Sequence, residues 1–491
     1  MFPVVLVLVW GAVFAIWWYV KPRRATPPVA PGALPIIGHA HRMVGSTLQI
    51  WEKEKFLYNF CLENGGIVEL RLGPQPVYVL TDLDDCLTIA NSCLDKPYIY
   101  EFGKPLYGRG LVTTNASLWK PKRKLLHPAF SQQVLNTFVP EYTLEARRLV
   151  DELANEAGKD QFDVVPYLLK NVLGSVYKTV IGVKPNDKEH ETTLKNYAHA
   201  TDSFFEMLVD RVYSVWLHLP LIFNMTYLKK KQDAVLKILK NITETIILNR
   251  KSERKQNIYE NPLKEHTSGY KSLLDHLLEV GEKQILTDEE IREHLDTVIG
   301  AAYDSSTRAM TFCLVLIGTY PNVQARIQKE LQEVFDDSDR DLTRHDLPKL
   351  VYLEAVLKET LRLYPPVPRI GKCSESEVKL KNYTFPAGTA FFLSVYGMNR
   401  HPVWGADANE FKPERWLSPD TLPENPNAFA TFSIGKRNCI GKQSAIMSMK
   451  TTLAYILRRY SITADVKNLQ CKCDLILKPA SGHYIGLKTR T

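Results

Sequence analysis

The sequence predicts a mainly α-helical protein with small β-sheets, preceded by a single N-terminal transmembrane helix. Three observations lead to this fold class. Residues 131–360 carry mostly helical apolar periodicity, short apolar runs broken by proline and glycine follow residue 375, and residues 3–20 contain no charged side chain. At 491 residues, with 45% hydrophobic and 24% charged, the chain has ample apolar material for a core.

Residues 1–20 are predicted to form an uncleaved membrane anchor. The apolar run from Pro3 to Val20 is just long enough to span a bilayer, and the basic residues at 21–24 should stay in the cytoplasm. A cleaved signal peptide is the alternative, but the charge follows the apolar run and no small-residue cleavage site is clear. Residues 21–38, basic and proline-rich, are predicted to be a stiff linker. Residues 39–491 contain no convincing internal linker and are expected to form one domain.

Charge and cysteine content exclude two classes of function. The formal net charge is +8, but the basic residues are dispersed rather than gathered into a stripe, so nucleic acid is not an expected partner. The eight cysteines show no disulfide rhythm, and Cys471-x-Cys473 has no matching second pair, which argues against a zinc site. A reducing compartment is therefore expected.

Local patterns also predict minor elements. Residues 67–72 and 77–80 alternate as a β-hairpin does, and residues 475–487 suggest a second hairpin with Ser481–Gly482 at its tip. Residues 252–270 are charged and punctuated by glycine and proline, and are predicted to be a mobile surface loop.

A long helix with an unusual midpoint is predicted between the capping box at 287–290 and Thr319. In its middle, small residues would let a planar group approach the backbone, and the hydroxyls of Ser305 and Ser306 could bond back to carbonyls and locally open the helix. Asp304 beside Ser305 is a candidate pair for delivering protons. The alternative is a solvated polar face with small residues that serve helix packing.

A cysteine between two glycines, near the C-terminal end, is the strongest candidate metal ligand. Cys439 directly precedes a helix-forming run, where the positive potential of a helix N-terminus and of nearby Arg437 favours a thiolate. Gly435 and Gly441 would allow tight turns and the approach of a flat ligand. Taken alone, a lone cysteine such as Cys439 is more often a buried structural residue, so the wider context has to decide.

Two further groups of residues, each containing arginine, are candidates for a functional or structural role. Glu359 and Arg362 are three residues apart and share a helix face, and Arg415 from a later run could lock onto them. Trp119 and Arg123 are four residues apart on another predicted helix, where they could hold an anionic group. Read singly, an exposed ion pair and a basic surface helix are the alternatives.

These pieces, in this order, resemble the cytochrome P-450 (haem-thiolate monooxygenase) superfamily. Its Phe-x-x-Gly-x-Arg-x-Cys-x-Gly pattern is matched at 432–441, Glu-x-x-Arg at 359–362, Pro-Glu-Arg at 413–415, and Trp-x-x-x-Arg at 119–123. The resemblance covers nearly the whole chain. Through residues 107–130 in particular, the chain is most similar to the animal family-4 branch, and to its arthropod members.

The resemblance implies roles for single residues. Cys439 would be the axial ligand of a haem b, and Asp304 with Ser305 would deliver protons during O2 activation. Ser305 replaces the family's usual threonine, and Ala301 occupies the position at which some relatives attach haem through a glutamate ester, so the haem should be held non-covalently. The cofactor-binding residues so implied are Cys439, Trp119, Arg123, Lys372, Phe432, Gly435, Arg437, Gly441 and Ala301. The lysine at 372 stands where relatives often have an arginine.

The resemblance further implies a membrane-bound monooxygenase of the endoplasmic reticulum, facing the cytoplasm. It would insert one oxygen atom from O2 into a lipophilic substrate, with electrons from NADPH through a flavin reductase and with cytochrome b5 as a further partner. The lysines expected to meet an acidic reductase are Lys120, Lys122, Lys124, Lys436 and Lys442. Candidate substrate contacts are Phe102, Leu106, Phe205, Ala302, Val367 and Ser481. A haem-thiolate isomerase or dehydratase, and a non-catalytic haem or ligand binder, remain alternatives.

Overall fold

The computed structural model describes residues 11–12, 26–35, 37–72, 75–182, 188–260, 271–336 and 338–490. The α-helices are α1 (Thr47–Glu63), α2 (Leu83–Ser92), α3 (Lys104–Tyr107), α4 (Ala116–Leu126), α5 (Gln132–Thr137), α6 (Val139–Leu153), α7 (Val165–Val176), α8 (Lys188–Tyr213), α9 (Pro220–Asn224), α10 (Tyr227–Glu260), α11 (Leu273–Glu282), α12 (Asp288–Thr319), α13 (Pro321–Phe335), α14 (Val351–Leu363), α15 (Val395–Met398) and α16 (Lys442–Arg459). The strands are β1 (Ile67–Leu72), β2 (Gln75–Leu80), β3 (Arg369–Cys373), β4 (Val378–Lys379), β5 (Thr384–Phe385), β6 (Ala390–Ser394), β7 (Tyr460–Thr463), β8 (Gln470–Cys473), β9 (Leu477–Ser481) and β10 (Gly486–Thr489). The mainly helical fold with small sheets is confirmed.

The long helix predicted from the capping box is α12. The Thr287 hydroxyl accepts the Glu290 N–H, and the Glu290 carboxylate accepts the Thr287 N–H, so local hydrogen bonds fix where the helix begins. Its 32 residues give a length of about 48 Å. Most of its side chains are buried, and it contacts α7, α11, α14 and α16. The midpoint of α12 therefore lies in the interior of the protein.

The predicted hairpin at 67–80 is confirmed as β1 and β2, which pair antiparallel. β6 pairs parallel to β2, and β3 pairs antiparallel to β6, which gives the order β1-β2-β6-β3. Val29 and Gly38 bridge to β1, and Ala30 is buried. Part of the segment predicted as a linker therefore packs along the edge of this sheet.

Two local predictions are wrong. β9 pairs with β8, and β10 pairs with β7, so residues 475–487 are not a hairpin, and Ser481 lies at the end of β9 opposite Gln470. Gly482, with φ of 73°, turns the chain between these two sheets. The predicted surface loop at 252–270 is helical as far as Glu260, because α10 continues through its charged turns; residues 261–270 lie outside the described residues.

The membrane-anchor prediction falls on residues that the structure does not describe, apart from Gly11 and Ala12. Within the described residues, no helix combines the length and the apolar character needed to cross a bilayer.

Candidate active site

The segment from Phe432 to Cys439 forms a tight loop against α2. The Cys439 N–H donates to the Phe432 carbonyl at 2.8 Å, and Gly435 has φ of 70°. A Cβ on Gly435 would lie 2.8 Å from Cβ of Ala90, so both the conformation and the space require glycine. The half-buried Phe432 packs against the main core.

The Cys439 thiol is exposed at the start of α16, whereas the other seven cysteines are buried or partly buried. Although the side chain is accessible, the surrounding protein raises its pKa by desolvation, and the Gly441 N–H, the Arg123 charge and Lys442 oppose that rise. Gly441 has an ordinary φ of −87°, so it is not needed for a left-handed turn. A Cβ at Gly441 would lie 3.9 Å from the Cys439 sulfur, which shows how closely the backbone passes the thiol.

Arg437 is bound by backbone carbonyls beneath the same loop. Its guanidinium donates to the carbonyls of Leu94, Leu111 and Thr114 at 2.5–3.1 Å. Its central carbon lies 5.2 Å from the ring centre of Trp119, which is buried on α4. Burial lowers the pKa of Arg437 to about 10.

Lys372 and Lys96 bring two further cations to this region. Lys372, on β3, is fully buried, and its Nζ has no hydrogen-bond partner among the described residues. Burial, and then Arg437, lowers the pKa of Lys372 to about 8. The Lys96 Nζ donates to the Gly371 carbonyl at 3.4 Å, and burial followed by the charges of Lys372 and Arg437 lowers the pKa of Lys96 well below its usual range. Lys96 was missed in the sequence, because no local pattern places it beside residues that are distant along the chain.

Arg123 holds the cysteine loop itself. It donates one terminal nitrogen to the Asn438 carbonyl at 3.0 Å and the other to the Asn438 side-chain oxygen at 3.1 Å. Trp119 and Arg123 both lie on α4, as the spacing predicted. The guanidinium thus sits beside the residue that precedes Cys439.

These groups fit a thiolate-ligated, anionic, planar cofactor. Lys96, Lys372 and Arg437 influence one another electrostatically, and the buried Lys372 ammonium is unpaired within the described part of the chain. A buried unpaired cation is costly unless an anion joins it, and the propionates of a haem supply such anions. Ala301, exposed at the midpoint of α12, carries no carboxylate that could esterify a haem.

The midpoint of α12 presents one accessible face. Ala301 is exposed and Ala302 and Ser305 are partly exposed, whereas Tyr303 and Asp304 are buried. The Ser305 hydroxyl donates to the Ala301 carbonyl at 2.7 Å, yet the helix stays continuous through this turn, so the predicted local opening is absent.

Asp304 points away from Ser305. Its Oδ1 accepts from Arg308 Nε at 2.8 Å, and its Oδ2 lies 3.7 Å from the Lys478 ammonium on β9. The two residues are therefore adjacent in sequence without touching, because neighbouring positions on a helix project about 100° apart.

The charge triad comes together at the end of α14. Glu359 accepts from Arg362 at 2.7 and 2.8 Å and from Arg415 at 2.9 Å, and all three side chains are buried. Trp416 donates its indole N–H to Glu359 at 2.9 Å, and Arg362 donates to the Asn399 carbonyl at 2.8 Å. The triad joins α14 to the segment that leads to Cys439.

The predicted substrate contacts are dispersed. Leu106 is fully buried and Phe205 nearly so, whereas Val367 is 38% exposed and Ser481 is exposed at the strand end already described. Phe102 is buried beneath Arg211, whose central carbon lies 4.1 Å from its ring centre.

One predicted partner contact is wrong. Lys120, Lys124, Lys436 and Lys442 are exposed, but Lys122 is buried. Its ammonium lies 3.1 Å from Glu290 and donates to the Arg109 carbonyl at 3.2 Å. Lys122 is therefore paired inside the protein and does not face a partner.

The chain is similar to known proteins over nearly its whole length. A family model described as Cytochrome P450 matches residues 27–486. Cytochrome P450 4V2 of Mus musculus is 32% identical over 482 residues, which cover 95% of this chain and 90% of that protein. Cytochrome P450 4d2 of Drosophila melanogaster is 30% identical over 498 residues, which cover 99% of each. These relatives confirm the family-4 resemblance, and the mouse and fly proteins are about equally similar. The chain belongs to the cytochrome P450 family of haem-thiolate monooxygenases.

Proposed function

We propose that this monooxygenase is anchored in the endoplasmic reticulum membrane with its catalytic domain in the cytoplasm, and that it oxidises a lipophilic substrate such as a fatty acid, hormone or xenobiotic. Electrons come from NADPH through a flavin reductase, with cytochrome b5 as a second donor. The observation that carries the proposal is the exposed Cys439 thiol at the start of α16, in the loop that carries Arg437, where burial and then the Arg437 charge lower the pKa of the Lys372 ammonium.

In this proposal Cys439 would supply the thiolate that holds the haem iron. When bound, the haem supplies the redox chemistry that activates O2 and transfers one oxygen atom into a C–H bond, the other leaving as water. The Gly441 N–H and the Arg123 charge favour the thiolate at Cys439. Lys372 and Lys96 would hold the propionates, with Trp119 alongside, and Arg437 stiffens the loop through its carbonyl contacts.

The proton-handling residues of this proposal are Ser305, on the accessible face of α12, and Asp304, which is buried behind it. The Ser305 hydroxyl lies on that face and can pass a proton toward the haem, while Asp304 holds its carboxylate behind it against Arg308. Ser305 lacks the methyl group of threonine, so its hydroxyl is less restricted in rotamer.

The membrane assignment is supported by an apolar surface, the 215–227 patch, between α8 and α10. Its large exposed side chains are Val215, Trp216, Leu219, Leu221, Ile222, Met225 and Tyr227. Leu221, Met225 and Tyr227 are each at least 76% exposed, and a run of three lysines at 229–231 begins two residues after Tyr227. A contiguous apolar patch with a basic flank is typical of a surface that contacts lipid.

The reductase assignment is supported by exposed lysines around the Cys439 loop. Lys120 and Lys124 on α4, with Lys436 and Lys442 beside Cys439, form a basic surface that suits an acidic electron donor. Lys122 takes no part in this surface.

The test is the absorption spectrum of the reduced, CO-bound protein in membranes. The wild-type chain should show the Soret band of thiolate ligation, and Cys439→Ala should lose it. Cys471→Ala removes a partly buried thiol elsewhere and should keep the band. A thiolate band that persists in Cys439→Ala would contradict the proposed ligand.

A further inference from the structure

Arg211, at the end of α8, is a cation held within the apolar 215–227 patch. Its Nε donates to the Leu217 carbonyl at 3.2 Å, which ties the guanidinium to the patch segment. Its central carbon lies 3.7 Å from the ring centre of Phe223 and 4.1 Å from that of Phe102, and both rings are buried. These distances are those of cation–π contacts. One hydrogen bond and two aromatic rings therefore fix the position of the guanidinium.

The Arg211 guanidinium has no anionic partner among the described residues. Its two terminal nitrogens form no hydrogen bond or ion pair with that part of the chain. The side chain is partly buried, and this burial lowers the pKa of Arg211. The neighbouring His218 supplies no anion, because its ring nitrogens bond the Tyr98 hydroxyl at 2.8 Å and the Val212 carbonyl at 3.0 Å. A partly desolvated cation with two unused donor groups favours an anion from outside the protein.

The surroundings of Arg211 favour a lipid over a free ion. Exposed apolar side chains stand on both sides of Leu217 in the sequence, and Trp216 and Leu219 are 59% and 58% exposed. A lipid whose headgroup meets the guanidinium can lay its acyl chains on this surface, and both partners then bury apolar area. Arginine suits such a boundary, since its stem packs on apolar groups while its charged end stays at the polar level. A free phosphate ion would gain only the polar contact.

We propose that Arg211 binds the phosphate of one anionic phospholipid whose acyl chains lie on the 215–227 patch. The planar guanidinium offers its two terminal nitrogens to two phosphate oxygens. Because Phe102 and Phe223 already hold the guanidinium, binding does not have to order a free side chain. The proposal rests on the membrane contact given to this patch under the proposed function, and it adds a site that selects the charge of the headgroup.

The lysines beyond the patch attract anionic lipids in a different way. Lys230 and Lys231 are exposed on α10 and act on any negatively charged surface without fixed geometry. Their effect grows with the number of charges and is screened by salt. A site at Arg211 instead takes one lipid and then saturates. The number of lipids bound therefore separates the two modes.

The experiment counts the phospholipids bound to the haem-loaded, full-length chain by native mass spectrometry in a neutral detergent. The probes are phosphatidylglycerol and phosphatidylcholine with the same acyl chains, added in equal amounts. Phosphatidylcholine has the same phosphate, but its own ammonium group leaves it without net charge. The wild type should retain one phosphatidylglycerol with about tenfold preference, from the charge-assisted contact. Arg211→Gln should abolish that preference.

Two further variants sharpen the result, and haem content with thermal unfolding checks the fold of each. Lys230→Gln is the matched control: it removes one positive charge beside the patch, and Lys230 forms no ion pair with the described residues. It should keep the wild-type preference. Arg211→Lys keeps the charge and tests the proposal if Arg211→Gln does not fold. It should weaken the preference roughly threefold, since an ammonium cannot form the paired contact.

Three results would overturn the proposal. They are a preference for phosphatidylglycerol that survives in Arg211→Gln, an equal loss of preference in Lys230→Gln, and displacement of the bound lipid by inorganic phosphate or by a free fatty acid of the same chain length. The last result would make the site one for a free anion or a carboxylate. The count in detergent is independent of vesicle binding. If Leu221 and Met225 are needed for vesicle binding but no Arg211-dependent preference is found, the headgroup site fails while the membrane contact stands.

Discussion

At the scale of a single residue, Asp346 links stability to pH. It accepts two hydrogen bonds from the Arg340 guanidinium, at 2.7 and 2.9 Å, and two from the N–H and hydroxyl of Thr343. The Arg340 contact first, and then Thr343, hold the pKa of Asp346 well below its ordinary value against the opposing effect of burial. The stability that this interaction contributes is therefore fully present above the unfolded-state pKa of Asp346. It is lost as the pH falls from there to the lower folded-state pKa.

We expect Asp346→Asn to lower the free energy of unfolding near neutral pH by about 1 kcal/mol, a modest value because Arg340 is partly exposed. The deficit should shrink as the pH falls below about 4, because the carboxyl of the unfolded chain is protonated there while that of folded Asp346 stays ionised. Denaturant unfolding at several pH values measures it. Asp339→Asn, in the same segment but 95% exposed, is the control and should have little effect. A deficit that is constant with pH would count against the charge of Asp346 as the cause.

At the scale of elements, the charge triad of Glu359, Arg362 and Arg415 connects α14 to the segment that leads to the cysteine loop. Glu359 alone faces two buried arginines, Arg362 and Arg415, as well as the Trp416 indole. Removing one member of such a cluster leaves the others charged, buried and unpaired. The connection between the two segments therefore needs all three residues of the triad.

We predict that Glu359→Gln destabilises the fold by about 3–5 kcal/mol, since two arginines would lose their buried counter-charge. Thermal unfolding and the fraction of haem retained on purification are the measurements. Glu333→Gln is the matched control: its ion pair with Lys329 is exposed on α13, and it should cost about 0–1 kcal/mol. Equal losses in the two variants would refute the structural role of the triad.

At the scale of the whole molecule, the proposed membrane attachment would rest on two separate parts of the chain, the 215–227 patch and the predicted anchor. The patch stands at the surface on and around α9, whereas the anchor prediction concerns residues 1–20. If both act, removing the anchor weakens membrane binding without abolishing it.

We expect protein lacking residues 1–20 still to bind phospholipid vesicles, and the added substitutions Leu221→Ser and Met225→Ser to reduce that binding about tenfold or more, from the apolar area no longer buried. Vesicle co-sedimentation measures both. Leu248→Ser and Val351→Ser, exposed apolar sites elsewhere, serve as controls and should leave binding unchanged. If the Leu221 and Met225 substitutions leave vesicle binding unchanged, the 215–227 patch does not contact the membrane.

Local interactions explain why some elements could be predicted. The start of α12 is fixed by hydrogen bonds within four residues, and Glu359 and Arg362 share a face because of helical spacing alone. The same local logic failed at 475–487, where alternation identified strands but not their partners. It failed again at Asp304 and Ser305, whose adjacency in sequence places them on different sides of a helix.

The sequence by itself determined the helical fold class, the long central helix and the motifs around Cys439, because these depend on periodicity, caps and short spacings. Only the tertiary structure decided which charges from distant segments meet. Lys96 lies within electrostatic range of Lys372 and Arg437. Lys478 forms an ion pair with Asp304, and Lys122 forms one with Glu290. The physical reason is that each of these pairs is brought together by packing of segments far apart in the chain, for which no local pattern carries a signal.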